Sequence, residues 1–502
     1  MTDKPSLMTG RDRVNWELGL LALPTVDAVA AYIDGALIHD TATLPVVDPS
    51  TGLVLAQVAE AGPDLVQLAV SGSTAAFKGA WGSTPAAQRG RVLQAIASEL
   101  RTAASSLAVI EAIDTGKTVS QARGDVATAA RYFEYYAGMA DKIQGESIPV
   151  DGASLVYTIR EPIGVIGHIT PWNSPLNQLS RGVAPSLAAG NSVVIKPSEV
   201  APISSVVLAQ LFVRAGLPPG ACNLVIGRGS ITGAALGAAN GVGHLTFTGS
   251  VVTGSAVMSA AAERIIPVTL ELGGKSPTIV CADADLDAAV QGAVAAITRN
   301  AGQSCFATTR ILVQREVVDE FITRLVTRVS ALRQGPAIAD LDLGPLASET
   351  QLGKVMDFVS EAIRDGARAA VGGNRPAAVE CRGGFFFEPT VMVNLRPEMR
   401  IVREEVFGPV QCVLAYDTDE EALRLANESE YGLAAGVFTR NLQRAHRLAA
   451  RLQAGQVQIN RFPAGGIETP FGGYKKSGIG REKGLEALRY YTQLKTVVVD
   501  LG

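Results

Sequence analysis

A chain of 502 residues is too long for one hydrophobic core, so two or three domains are expected, with room for a cleft between them. Hydrophobic residues at 47% and charged residues at 18% are the balance of an ordinary globular protein and exclude a disordered or fibrous chain. A net charge of -4, with Lys and Arg dispersed along the chain, leaves no basic footprint and speaks against a nucleic-acid partner.

In chain order, the start MTDKPSLMTGRDRV lacks the apolar stretch of a signal peptide. The segment LLALPTVDAVAAYI is broken by Pro24 and Asp27 before it reaches membrane-spanning length. A cytoplasmic protein without a membrane partner is expected. From about residue 85 to about 140, apolar spacing is helical, as in RVLQAIASELRTAASSLAVIEAI. Short β-branched runs then alternate with helix-like stretches: GVIGHIT, NSVVIKPS, CNLVIG, VGHLTFTGS and IIPVTLEL. That alternation predicts a parallel, doubly wound sheet, whose carboxyl-end loops are the usual place for a dinucleotide. A second alternating block begins at SPTIVCADAD and includes TTRILVQ, a long helix near EVVDEFITRLVTRVSALR, PVQCVLAYD and QVQIN. The fold class is therefore α/β, with two doubly wound α/β domains. Two segments fit neither sheet, GESIPVDGASLVYTIREP and TQLKTVVVD, and both read as exposed strands wanting a partner.

The five cysteines, Cys222, Cys281, Cys305, Cys381 and Cys412, are odd in number and contain no CxxC, and the chain has only four histidines. This argues against a disulfide framework and against a zinc or other metal site. Cys305, in GQSCFATTR, sits in an expected loop before a strand, where a nucleophilic thiol could be exposed. A lone cysteine is more often an inert buried thiol. Glu271 closes the strand-like IIPVTLEL ahead of two glycines, where a carboxylate raised by burial could act as a general base, although a surface glutamate is commoner there. Asn173, in ITPWNSP, could donate to an oxyanion or simply serve a proline-bounded turn.

Taken together, ITPWNSP, VVIKPSE, FTGSVVTG, LELGGKSP, GQSC, EEVFGPV and PFGGYKKSGIGRE occur in one order along the chain. In this the sequence resembles the NAD(P)-dependent aldehyde dehydrogenases from YIDG near Tyr32 to its end. The resemblance implies a Rossmann-like cofactor domain at 24–140 and 162–274, a catalytic domain at 275–478, and a small β oligomerisation element at 141–161 and 488–502. It also implies a homodimer or homotetramer. Cys305 would attack a small-molecule aldehyde, Asn173 and the Cys305 N–H would hold the oxyanion, and Glu271 would activate the water that hydrolyses the thioester.

The same resemblance implies that NAD, with NADP also admissible, is bound by Ile169, Thr170, Pro171 and Trp172 at one strand end and by Lys196, Ser198 and Glu199 at the next. No GxGxxG follows the first strand, and GRGSITG is a misleading match to one, although its Gly229 remains a cofactor candidate. Gly249, Ser250 and Gly254 would meet the pyrophosphate at a helix start, with Leu272, Glu405 and Phe407 at the nicotinamide end. Glu199 as a ribose hydroxyl acceptor favours NAD.

Some positions depart from the family pattern. Ser174 stands where many relatives carry a bulky aromatic, and Asn177, Gln178 and Arg181 occupy positions that are often apolar or aromatic, so a polar substrate tunnel is expected, with Phe462 matching a pocket-lining aromatic that would cover the apolar part of the aldehyde. Arg181 in a low-dielectric tunnel should want a carboxylate, either a substrate's, as in a semialdehyde, or the protein's own. Gly182 replaces a lysine linked in relatives to proton exit, while its usual companion Glu482 is kept. The alternatives are a relative that acylates coenzyme A, against which Glu271 argues, and a silent structural relative, against which the intact Cys305, Asn173 and Glu271 argue.

Overall fold

Strands buried on both faces need continuous apolar runs, and Val165–Ile169 and Ser192–Lys196 are buried at every residue. In the computed structural model, which describes residues 8–26, 30–39 and 42–502, these two strands form the centre of an eight-stranded sheet. Asp27, one of the two interruptions noted above, lies outside the described residues.

From Val165–Ile169 the sheet runs through Ser192–Lys196 to Cys222–Leu224 on one side, and through Val242–Thr248 to Val268–Glu271 on the other, all parallel. The strand order thus reverses between Val165–Ile169 and Val242–Thr248, and a crevice opens beyond their carboxyl ends. Asn173 follows the first of these strands, and Gly249 and Ser250 follow the second. Antiparallel additions close both edges: Ala31–Ile33 with Ala36–Ile38, and the short Gly478–Ile479 against Leu270 and Glu271.

After Glu271 the chain crosses in a few residues to Pro277–Val280, which lies inside a second, seven-stranded sheet with Arg310–Gln314 and Ala434–Phe438 as its parallel neighbours. Outward from Arg310–Gln314 stand Val410–Tyr416, Thr390–Val393 and the antiparallel Arg368–Val371, and Gln456–Ile459 ends the other side. The helical region is three consecutive helices, Ala86–Thr102, Ala104–Thr115 and Val119–Ala137, which bury Leu93, Ile110, Phe133 and Tyr136 in one core with the helix Pro175–Ala188.

The two unplaced segments satisfy each other. Thr492–Asp500 pairs antiparallel with Ser154–Pro162 along its whole length, with Ser147–Ile148 on the far side. Leu494 and Val498 of the outer strand remain exposed. Among the described residues no helix is long and apolar enough to cross a membrane.

Candidate active site

The short crossing between the sheets explains the two glycines after Glu271. A Cβ on Gly274 would stand 2.4 Å from the Cys305 carbonyl oxygen, and one on Gly273 would stand 2.3 Å from Glu405 Oε2. Only hydrogen at Gly274 lets the Cys305 backbone press against this segment, and hydrogen at Gly273 leaves the Glu405 carboxylate its place beside it. Gly302, before Cys305, has φ +74 and lies against the Gly408 carbonyl, joining the GQSC and EEVFGPV segments at the same place.

Cys305 lies in the loop ahead of Arg310–Gln314 and is half-buried, whereas Cys222, Cys281, Cys381 and Cys412 are buried. Asn173 is held by a ring of amides. Its Nδ2 donates to Gln303 O at 2.9 Å, and Asn300 Nδ2 donates to Asn173 O at 2.6 Å. Gln303 in turn donates to Asn300 O at 2.9 Å and accepts from Ala347 N at 2.9 Å. One N–H of Asn173 is thereby committed to orientation and the other remains for a ligand.

Two cavities meet at the thiol. One, of about 510 Å³, and the other, of about 190 Å³, share Asn173, Gln178 and Cys305 as wall. The smaller is bounded by Pro171, Trp172, Gly249, Ser250, Leu272, Glu405 and Phe407, together with Glu271. Trp172 and Phe407 meet edge to face at 5.4 Å. Phe407 has φ +58, a left-handed conformation costly for a bulky residue, and Gln351 Nε2 holds it by donating to the Val406 and Phe407 carbonyls at 3.0 and 2.8 Å.

Ser250 caps the helix Val251–Arg264 by accepting from Thr253 N at 3.2 Å. A Cβ on Gly254 would reach 2.5 Å from Leu272 Cδ2, so the glycine sets how closely that helix approaches the cavity wall. A helix start, two aromatic faces and a buried carboxylate are the donor and acceptor set that a nicotinamide dinucleotide requires.

Further along the crevice, Ile169 ends its strand, Thr170 N donates to Lys196 O at 3.0 Å, and Lys196 Nζ pairs with Glu199 at 3.0 Å. Ser198 Oγ accepts from Val200 N at 3.3 Å, and Gly229 opens the helical turn Gly229–Gly233, which approaches the Lys196 side chain.

Burial dominates the electrostatics. Both carboxylate oxygens of Glu271 are buried without a hydrogen-bond partner, and burial, reinforced by the nearby Glu482, holds its carboxyl well above the usual range, with Arg181 opposing. Burial also pushes the Cys305 thiol up to about 12, again against the pull of the Arg181 cation. Glu405 is raised to about 7 by burial, against the Gly274 N–H that it accepts at 2.9 Å.

With this geometry in place, comparison with known proteins decides the family. The family model described as the aldehyde dehydrogenase family matches residues 38–497. The chain belongs to the aldehyde dehydrogenase family. It is 43% identical over 458 residues to the 4-trimethylaminobutyraldehyde dehydrogenase of Homo sapiens, which covers 91% of this chain and 92% of that one. It superposes on the betaine aldehyde dehydrogenase of Staphylococcus aureus, solved in complex with NAD+, with a TM-score of 0.94 at 38% identity, covering 98% of each chain. The NAD+ complex of an aldehyde dehydrogenase from Bacillus cereus aligns with a TM-score of 0.92 at 39% identity, covering 94% of this chain and 97% of that one.

In this aldehyde dehydrogenase the larger cavity departs from the sequence reading at Arg181. Its Nε forms a buried ion pair with Glu482, its Nη2 donates to Thr248 Oγ1 at 3.2 Å, and its guanidinium lies 5.2 Å from the Phe471 ring centre. The carboxylate it wants is the protein's own, so the expectation of a substrate carboxylate on Arg181 is corrected. Both partners are 4–5% exposed, and a buried guanidinium left unpaired would be costly.

Gly182 is also explained, since a Cβ there would stand 2.7 Å from His168 Nδ1. The imidazole, lowered to about 3 by burial and bonded to Ser186 and Thr246, occupies the space beside Gly182. Ser174 accepts from the buried Lys117 Nζ at 3.1 Å, and Asn177 Nδ2 donates to Asp125 at 3.3 Å. Phe462 packs behind Phe306 at 5.9 Å, and it is Phe306 that forms the cavity wall.

The sequence reading missed Arg131, Tyr132, Arg299, Phe306, Phe471 and Lys483 on that wall, and Gln351 and Lys354 on the other. Lys483 was the most accessible of them, since it follows Glu482 directly in the GREK string.

Proposed function

We propose that this chain oxidises an aldehyde to a carboxylic acid with NAD as hydride acceptor, with Cys305 as nucleophile, Asn173 as oxyanion donor and Glu271 as base toward water. The observation that carries this assignment is the position of Cys305 at the junction of the two cavities, with the anchored Asn173 amide sharing both walls. An aldehyde entering through the larger cavity meets the thiol, while the smaller cavity presents the residues suited to NAD on its other side.

Cys305 adds to the carbonyl carbon, and its proton passes to water in the open larger cavity as the carbon–sulfur bond forms and the carbonyl π bond opens onto oxygen. The tetrahedral oxygen is held by the free Asn173 N–H and the Cys305 backbone N–H. Bound NAD would supply the hydride acceptor, taking the hydrogen of that carbon with both electrons and leaving a thioester on Cys305. Glu271, buried without a hydrogen-bond partner, acts in its ionised form and draws a proton from water as the water oxygen attacks the thioester carbon. The thiol leaves and is restored. Overall, aldehyde, water and NAD+ become carboxylate, NADH and two protons.

The protein acts in the cytoplasm as a homodimer or homotetramer, a reading supported by five free cysteines and by the open edge of Thr492–Asp500 with its exposed Leu494 and Val498. The test of the mechanism is Glu271→Gln. It should give one rapid turnover of NADH and then stall as a Cys305 acyl-enzyme, visible by intact-protein mass. A variant that turns over at the wild-type rate removes Glu271 from the mechanism.

A further inference from the structure

The larger cavity carries four cationic side chains, Arg131, Arg181, Arg299 and Lys483, against the carboxylate of Glu468. Two of these cations are already committed. Arg131 pairs with Glu134 at 3.3 Å and with Glu468 at 2.7 Å, and Arg181 pairs with Glu482. Among the described residues, Arg299 and Lys483 form no ion pair with any carboxylate. Each rests instead near an aromatic ring of the wall: the Arg299 guanidinium lies 5.7 Å from the centre of Phe306, and Lys483 Nζ lies 5.5 Å from the centre of Phe471. Phe306 directly follows the nucleophile, and the two rings meet edge to face at 6.2 Å, so both cations flank the route to Cys305.

We infer that the aldehyde carries a carboxylate at the end remote from its carbonyl, and that Arg299 and Lys483 hold that carboxylate while the carbonyl lies at Cys305. This names the substrate class of the oxidation proposed above and rests on that reading. A substrate carboxylate supplies at close range the counter-charge that Glu468 and Glu482 give Lys483, and Asp125 gives Arg299, only from farther off, and charge-assisted hydrogen bonds to it gain most at the half-buried Lys483, Arg299 being exposed. The same wall is unsuited to a quaternary ammonium aldehyde. Such a head group needs open aromatic faces, yet the protein's own Arg181, Arg299 and Lys483 already stand by Phe471 and Phe306 and would repel it.

The experiment compares kcat/KM of the purified full-length protein with NAD for three aldehydes of matched length: 5-oxopentanoate, pentanal and 4-trimethylaminobutyraldehyde. The carboxylate should be preferred to pentanal by about tenfold or more. Arg299→Gln and Lys483→Gln should each lower the ratio of the two by about tenfold, chiefly through KM for the acid, whereas general damage to the site would lower both alike. In parallel, glutarate but not pentanoate should raise the unfolding temperature of the wild-type protein, a readout that needs neither turnover nor a variant. Cys305-dependent oxidation of pentanal or of the trimethylammonium compound in preference to the acid overturns this inference and leaves the reaction standing. Unchanged ratios in both variants do the same, and oxidation of none of the three overturns the reaction and the inference together.

Discussion

The two cavities that meet at Cys305 are built by different means. On the smaller side, backbone constraint does the positioning: Gly273 and Gly274 permit close approach, Phe407 is held left-handed by Gln351, and Ser250 caps a helix start. On the larger side, charge does it, through the Arg181–Glu482 pair, the buried Lys117 between Glu111 and Asp125, and two cations, Arg299 and Lys483, that form no ion pair among the described residues. Shape made by the backbone serves one unvarying ligand for every substrate. Charge on side chains discriminates between substrates, because a single residue can change it without disturbing the fold.

The comparison depends first on Cys305 being the shared point. Cys305→Ala should lower kcat by more than about 10⁴-fold for every aldehyde while NAD still binds, measured by steady-state turnover and by fluorescence titration. Arg181→Met should come next. It strands the buried Glu482 carboxylate and should cost about 3–5 kcal/mol in denaturant unfolding, most of it returned by adding Glu482→Leu. Because the Arg181 cation pulls both Cys305 and Glu271 downward, its loss raises both, and the acid limb of the kcat/KM profile should move to higher pH.

A smaller effect sharpens the contrast of charge. Burial, together with the cations Arg181 and Arg299, lowers Lys483 to about 8, against the pull of Glu468 and Glu482. Above that pH Lys483 loses its charge, so KM for an acidic aldehyde should rise several-fold between about pH 7 and about pH 9, with KM for an alkyl aldehyde following no such course. Smallest is Ser250→Ala on the cofactor side, which should cost about 1 kcal/mol by leaving Thr253 N without its cap and should raise KM for NAD equally for all aldehydes.

Much of the site could be read from the chain because its parts are contiguous. Asn173 lies within a turn of its strand, Glu271 closes another strand beside the glycines it needs, and Cys305 follows a glycine that allows its loop. Strand positions were likewise legible from β-branched runs, and the helical stretch near Ala86–Ala137 from its spacing. The strand-like segments at Ser154–Pro162 and Thr492–Asp500 were recognisable as strands, but their mutual pairing was not, because pairing between distant segments leaves no local mark.

The sequence by itself singled out the candidates for the chemistry, Cys305, Asn173 and Glu271, each ambiguous alone and marked out by the order of the strings that enclose them. Tertiary structure alone decided which charge meets which. Arg181 and Glu482 are far apart in the chain, and nothing local tells a long, flexible guanidinium whether its partner is a substrate or a residue just ahead of the last helix, Glu486–Tyr490. That choice follows from distance and burial, since Coulomb attraction between two desolvated groups acts through space and is indifferent to their separation in sequence. Once it is made, Arg299 and Lys483 are the cations left for a ligand.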